Sequence, residues 1–315
     1  MARRGKSGKA VNGWVCVDKP VGVTSTQVVG KVRYAFDAQK AGHAGTLDPL
    51  ASGILAVALG EATKTIPYAV DTQKTYHFAV KWGEQRNTDD AEGVAIALSD
   101  VRPTVDAIRA ALPEFTGRIS QTPPQFSAIK LAGERAYDLA RNGEIFEIAP
   151  RDVNVTRLEL IDMPEPSLAR FEMVCGPGTY VRAIARDLGL RLGSCGYALD
   201  IRRTAVGPFT QANAISLDKL EQLVHNPALS EHLLPVETPL DDIPAMAISG
   251  SDAARLRRGQ PILARNRPEC SPQAIVCARS GGMPVALGYI EAGEFRSVRV
   301  FNLPIGVVKA DVDFA

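Results

Sequence analysis

Asp48 is the residue whose surroundings best suit chemistry, because it stands between a glycine-bearing loop and a long apolar run. The stretch GHAGTLDPLASGILAVALG (42–60) places His43 after Gly42 and puts Asp48 immediately before Pro49. The proline disfavours helical backbone at Asp48, which therefore lies extended or in a turn. Taken alone, an Asp at such a position is most often a turn residue. A catalytic interpretation needs partners from elsewhere in the chain.

Local patterns predict the elements that would position such partners. An apolar run predicts a strand that ends at Pro20, and residues 24–36 predict a helix with Ser25 as its cap. Alternation from Thr75 predicts a strand, and a further helix follows Pro103. Strands are expected at 153–161 and 170–175, separated by a break at MPEPS. Residues 178–193 predict a helix with a buried stripe of Val181, Ile184, Leu188 and Leu192.

The composition changes at a proline-bearing linker, TPLDDIPAM (238–246). Beyond it, short β-like runs bounded by glycine predict an all-β module of about 70 residues. We therefore expect an α+β protein with a flexible basic tail at 1–10, a large domain at 11–240 and a small β domain at 241–315.

The overall composition is that of a soluble globular protein. The chain has 315 residues, of which 45% are apolar and 23% charged, and it contains no apolar run of about 18 residues that could span a membrane. Five scattered cysteines and four histidines form no metal-ligand or disulfide pattern. No apolar signal core follows the basic N-terminus, so we expect a cytoplasmic protein, acting as a monomer.

Positive charge is concentrated locally, although the net charge is only +1. Arg and Lys recur in RAIARDLGLR (182–191), IRR (201–203) and RLRRGQ (255–260). One face of the protein could therefore bind a polyanion, and solvated surface charge is the alternative.

Seven stretches together closely resemble the bacterial tRNA pseudouridine-55 synthases, the TruB family. They occur in the family's order and cover about two hundred residues. The stretches are VDKPVGVTS (17–25), GHAGTLDPLASGIL (42–55), GEATK (60–64), KTYHF (74–78), QTPPQFSAIK (121–130), GTYVRAIARDLG (178–189) and IRRTAVGPF (201–209).

The resemblance implies a fold and an activity. The fold would be a mixed, mainly antiparallel sheet with flanking helices, followed by a small β-barrel-like PUA domain. The activity would isomerise uridine 55 in the T-loop of elongator tRNAs, with the target base flipped out of its stack. The reaction cuts the N1–C1′ bond and joins C5 of the same base to C1′. It needs no redox change, metal or cofactor.

By this resemblance Asp48 is the catalytic carboxylate, and Arg182 is the cation that keeps it charged. Tyr76 would stack on the target base, with its hydroxyl a candidate general base. Without the resemblance, these residues would be interpreted as a turn Asp, a helix-surface Arg and a core Tyr.

The resemblance also implies residues that bind the tRNA. His43 would enter the T-loop and occupy space left by the flipped nucleotide, while Tyr180 and Ile201 would line the base pocket. The family usually has leucine where this chain has Ile201. The basic segment RLRRGQPI (255–262) would contact the acceptor stem. Phosphate or loop contacts are expected from Lys19, Lys64, Lys130 and Arg202, each of which could equally be solvated surface.

Asp90 aligns with an acidic position of the family, but the T-D-T that usually precedes it is replaced here by Arg86, Asn87 and Thr88. Its role is therefore open.

Two other functions compete with the synthase hypothesis. A non-catalytic tRNA-binding or folding factor could use the same scaffold. A glycoside hydrolase would also act at an anomeric carbon, but it usually needs a second carboxylate, and Asp48 has none nearby in sequence.

Overall fold

The computed structural model describes residues 8–303 except 128, 132–133, 137–138, 140–143, 145, 225, 266–267 and 272. Residues 1–7 of the expected tail and the side chain of Lys130 lie outside the described parts. The helices are α1 (Ser25–Ala35), α2 (Ile66–Asp71), α3 (Val105–Ala111), α4 (Val181–Arg191), α5 (Leu217–Gln222) and α6 (Gly250–Arg257). The first strands are β1 (Gly13–Lys19), β2 (Ala41–His43), β3 (Ser52–Leu59), β4 (Lys74–Trp82), β5 (Glu84–Arg86), β6 (Ala95–Leu98), β7 (Gly117–Gln121), β8 (Lys130–Leu131) and β9 (Glu134–Arg135). The remaining strands are β10 (Arg151–Glu165), β11 (Leu168–Cys175), β12 (Gly196–Val206), β13 (Phe209–Thr210), β14 (Ile215–Ser216), β15 (Ala245–Ala247), β16 (Ile262–Leu263), β17 (Val276–Ser280), β18 (Met283–Glu291) and β19 (Glu294–Val300).

A ten-stranded sheet forms the centre of the large domain. Its main order is β14-β1-β3-β12-β4-β11-β10-β7, with β2 paired to β3 and β13 paired to β12. The pairs β1/β14 and β3/β12 are parallel, and the others are antiparallel. The prediction of a mixed, mainly antiparallel sheet in an α+β protein is therefore confirmed.

Strand β3 is buried on both faces, because the sheet lies between two apolar cores. Leu55 and Val57 face the core that contains buried residues of α1 and α4. Ile54 faces the other core, which also includes Trp14 and, from the C-terminal region, Phe301. The loop that carries Asp48 leads directly into β3, so its end is anchored in the most buried part of the sheet.

Two sequence-based assignments need correction. Thr24, not Ser25, caps α1: its side chain accepts from the backbone N–H of Gln27, whose side chain in turn accepts from the Thr24 N–H. The expected break at MPEPS is only a short turn, because β10 continues through Pro164 to Glu165. This proline is tolerated where the β10/β11 register shifts.

The C-terminal module is a five-stranded sheet in the order β15-β17-β18-β19-β16. It encloses its own core, in which Leu256 of α6 packs with Val276 and Phe295. This module is also tied to the large domain, since the Lys64 ammonium donates to the Val300 carbonyl at 2.8 Å. No helix in the described parts of the chain is long and apolar enough to cross a membrane.

Candidate active site

The structure brings Asp48, Tyr76 and Arg182 together around one cleft of about 270 Å³. Asp48 lies in the loop between β2 and β3, and its side chain is 39% exposed. Its carbonyl accepts from the Ala51 amide at 3.1 Å, which closes a tight turn around Pro49. The carboxylate can therefore reach a substrate while its backbone is fixed.

Arg182 is buried and forms an ion pair with the Asp48 carboxylate. Its Nη2 lies 2.9 Å from Oδ2 of Asp48, and it also donates to the carbonyls of Thr88 and Phe126, both at 2.9 Å. In α4, Val181 and Ile184 face the core, while Arg182 lines the cleft. The helical spacing therefore predicted its direction correctly. The planar guanidinium is thus fixed by several acceptors and orients the Asp48 carboxylate.

Asp90 fixes Arg182 from the other side. Its Oδ2 lies 3.2 Å from Nη1 of Arg182, and both side chains are at most 5% exposed. Its Oδ1 accepts from the Thr88 hydroxyl at 2.5 Å and from the Glu92 amide at 3.0 Å. Asp90 is therefore a direct contact of the arginine that pairs with Asp48, which makes a positioning role the hypothesis to test.

Tyr76 lies half-buried on β4, opposite Met173 of β11 and Arg203 of β12. Burial raises the pKa of the Tyr76 phenol above its usual value, and the nearby Arg203 guanidinium opposes part of that rise. The phenol is thus protonated at neutral pH. This favours a stacking ring and hydrogen-bond donor over a phenolate base.

Two residues that support the Asp48 loop were missed by the sequence reasoning. Ser25 is buried, and its hydroxyl accepts from the Leu47 amide at 2.9 Å and donates to the Leu47 carbonyl at 3.0 Å. Arg203 is also buried and donates to three carbonyls on or beside the loop. Both lie within the stretches that carry the resemblance, but only their contacts reveal the role.

Lys19 lies beneath the same loop and is fully buried. Its ammonium donates to the carbonyls of Pro20 at 2.9 Å, Val23 at 2.8 Å and Pro49 at 3.4 Å. Burial lowers the pKa of Lys19 to about 8, although the Asp48 charge opposes this. A phosphate contact by Lys19 stays a prediction, and it would require the ammonium to leave these carbonyls.

Lys64 and Arg202 lie outside the cleft lining. Lys64 pairs with Glu61 at 2.6 Å, next to its bond with the C-terminal module. Ile201 and Arg203 of β12 line the cleft, whereas Arg202 between them forms an ion pair with Asp18 at 2.7 Å. RNA contacts by either residue stay predictions.

The remaining predicted site residues lie in or near the cleft. Tyr180 and Ile201 both line it, and the Tyr180 backbone is held by two hydrogen bonds with the Gln121 amide group. His43 lies on β2, and its buried Nδ1 has no hydrogen-bond partner among the residues that the structure describes. Burial lowers the pKa of His43, while the nearby Gly45 backbone opposes this. A neutral imidazole is suited to packing and hydrogen bonding against RNA rather than to donating a proton in catalysis.

The cleft has a chemistry that separates the competing hypotheses. Among its described lining residues, Asp48 is the single carboxylate. The second carboxylate that most glycoside hydrolases use therefore has no counterpart in this lining. In the described parts of the chain, no three His, Cys, Asp or Glu residues are grouped to hold a metal ion. The arrangement provides one carboxylate, as a nucleophile or electrostatic stabiliser, beside an aromatic ring.

Comparisons with known proteins extend along nearly the whole chain. The family models "TruB family pseudouridylate synthase (N terminal domain)" and "tRNA pseudouridylate synthase B C-terminal domain" match residues 33–181 and 182–241. A protein of Bradyrhizobium diazoefficiens named tRNA pseudouridine synthase B is 55% identical over 300 residues, covering 93% of this chain and 86% of that protein. One of the same name from Caulobacter vibrioides is 53% identical, covering 96% and 100%. A chain in the crystal structure of a Cbf5-Nop10-Gar1 complex is 25% identical with a TM-score of 0.72, covering 91% of this chain and 83% of its own.

Proposed function

The chain belongs to the TruB family of pseudouridylate synthases, and we propose from this premise that it converts uridine 55 in the T-loop of elongator tRNAs to pseudouridine. Relatives more than 50% identical over more than 90% of the chain carry the name tRNA pseudouridine synthase B. The single structural observation that supports the activity is the contact of 2.9 Å between Asp48 and the buried Arg182 at the base of an open cleft.

Asp48 is the catalytic carboxylate of this proposal. The reaction detaches N1 of uracil from C1′, turns the base and joins C5 to C1′, after which the proton on C5 leaves. An ionised carboxylate serves as nucleophile or as stabiliser of the electron-poor intermediate. Arg182 orients the Asp48 carboxylate, and its own guanidinium is fixed by Asp90 and two carbonyls.

The cleft accepts a single base that has left its stack. Tyr76 stacks on the flipped uracil, and Tyr180 and Ile201 close the apolar side of the pocket. His43, on the strand before the loop, fills the gap left in the T-loop. Its lowered pKa keeps the ring neutral, so that it packs and hydrogen-bonds there without adding charge.

We assign residues 11–240 to catalysis and 241–315 to a PUA-like tRNA-binding domain. The five-stranded sheet and the basic end of α6 support this division, because Arg255, Arg257 and Arg258 cluster where a phosphate backbone could dock. The T-arm then occupies the cleft while the acceptor stem contacts the C-terminal domain. The enzyme acts as a monomer in the bacterial cytoplasm, and no metal or cofactor takes part.

The test is tritium release from an unmodified tRNA transcript labelled at uridine C5. Wild-type protein should release tritium from position 55, and Asp48→Asn should release none while it keeps its fold and its affinity for tRNA. Asp162→Asn is the control, since Asp162 lies in an exposed ion pair on β10. Normal single-turnover release by Asp48→Asn would overturn the mechanism. Tight tRNA binding without release by the wild type would instead identify a non-catalytic binding factor.

A further inference from the structure

A second buried arginine, Arg203, connects the two sides of the cleft. Its side chain is almost completely buried within β12, yet it contributes to the cleft lining. Nε donates to the Ile54 carbonyl at 2.8 Å, Nη1 to the Thr46 carbonyl at 3.3 Å and Nη2 to the Gly45 carbonyl at 3.1 Å. One rigid guanidinium thus binds three carbonyls at both ends of the segment that contains Asp48.

The same guanidinium lies beside Tyr76, which is opposite Arg203 in the β4/β12 pairing. Directly opposed residues of neighbouring strands point to the same face of the sheet, so the two side chains are neighbours. The positive charge of Arg203 opposes part of the rise that burial causes in the pKa of the Tyr76 phenol.

The backbone around Arg203 is built to keep this geometry. Gly53 has φ +103°, and a Cβ there would lie 2.1 Å from the Arg203 carbonyl oxygen. Gly45, whose carbonyl accepts from Arg203, has φ +90°. Gly53 lets β3 approach Arg203 more closely than a residue with a Cβ could, and Gly45 gives the loop a backbone conformation that a side chain would strain.

We propose that Arg203 is a positioning residue for the reaction, which fixes the backbone of the Asp48 loop beside the Tyr76 ring. The inference rests on the proposed function, because its effect is measured on that reaction. Arg182 acts on the Asp48 carboxylate itself, whereas Arg203 acts on the backbone of its loop and on the aromatic partner. Lysine cannot replace Arg203, because a single ammonium group cannot reach all three carbonyls that the planar guanidinium binds.

Single-turnover tritium release at saturating tRNA tests this role with Arg203→Ala and Arg203→Lys. Both variants should slow release by about 100-fold, as expected for misplacement of reacting groups, while tRNA affinity changes little. Guanidinium or methylguanidinium ions at millimolar concentration should restore part of the rate to Arg203→Ala, because the vacated space opens to the cleft. They should not help Arg203→Lys, in which the space is filled. Arg170→Met is the control, since Arg170 pairs with Asp162 in an exposed position.

The outcomes distinguish this inference from the proposed function. No release by the wild-type protein would refute the proposed function itself. Wild-type release with an undiminished rate in a folded Arg203→Lys protein would overturn the positioning role, as would a loss confined to tRNA affinity. Loss of the fold in both variants, shown by circular dichroism, would make Arg203 a folding determinant and would also overturn it. A slow, folded Arg203→Ala protein that guanidinium ions accelerate supports the role.

Discussion

Replacing Asp90 by asparagine tests how much of the activity depends on the orientation of Arg182. The substitution keeps the shape of the side chain and the Oδ1 acceptor for Thr88 and Glu92. It removes the negative charge 3.2 Å from Nη1 of Arg182 and can place an amide N–H there. Arg182 would then keep Asp48 and two carbonyls but lose its fourth acceptor.

The magnitude follows from the burial of this pair. Both side chains are at most 5% exposed, so water cannot take over the lost contact. Removing one partner of a buried pair costs about 3–5 kcal/mol. Three remaining acceptors keep this loss of stability at the lower end. A loss of about 3 kcal/mol carried entirely by the transition state, in which Arg182 must hold Asp48, corresponds to a rate factor of about 150.

Single-turnover pseudouridine formation at saturating tRNA measures this factor, and filter binding measures tRNA affinity separately. We expect Asp90→Asn to be about 150-fold slower with affinity nearly unchanged, because Asp90 does not line the cleft. Asp152→Asn serves as control, as Asp152 pairs with Arg118 on the exposed edge of the sheet. A folded Asp90→Asn protein with a rate within about threefold of the wild type would refute the positioning role.

Three further substitutions, with Gly30→Ala as a comparison, test the residues around the Asp48 loop. Ser25→Ala leaves the buried Leu47 amide and carbonyl without their partner, and it should lower the free energy of unfolding in urea by about 2 kcal/mol. Gly53→Ala should prevent stable folding, because the new Cβ would combine a positive φ with a severe clash. By comparison, the new Cβ of Gly30→Ala in α1 meets open space, so thermal melts should show the folded protein stabilised by roughly 0.5–1 kcal/mol. Burial lowers the pKa of Lys19 from 10.5 to about 8. Between these two pH values the unfolded chain binds more protons than the folded one, so Lys19 makes the free energy of unfolding rise with pH in that window. Lys19→Met should remove this part of the rise in urea titrations at pH 8 and 10.

Clear results would contradict each of these expectations. An unchanged unfolding midpoint in Ser25→Ala would mean that water or a neighbour replaces the hydroxyl. A stable Gly53→Ala protein would show that β12 can move away from β3. Identical pH dependence in Lys19→Met and the wild type would place the titration elsewhere, for example at Lys74, whose pKa burial also lowers to about 8.

The sequence alone determined the elements whose pattern is local. Alternation from Thr75 identified β4, and the 3.6-residue stripe in α4 directed Arg182 away from the core, because side-chain direction follows from backbone period. Seven stretches in the same order were enough to predict the family, whereas the catalytic role of Asp48 stays a prediction. Pattern failed at Pro164, where a register shift lets β10 continue through a residue that usually ends a strand.

Only the tertiary structure decided what surrounds the carboxylate. Lys19 and Arg203 are both buried. In the sequence they look like any surface Lys or Arg, because no local pattern distinguishes a buried cation bound to carbonyls from a solvated one. Asp90 lies 92 residues from Arg182, so their contact depends on how the hairpin of β5 and β6 meets α4. Burial and hydrogen bonding are properties of the assembled chain, and they convert three ordinary charged residues into the frame that holds Asp48 in place.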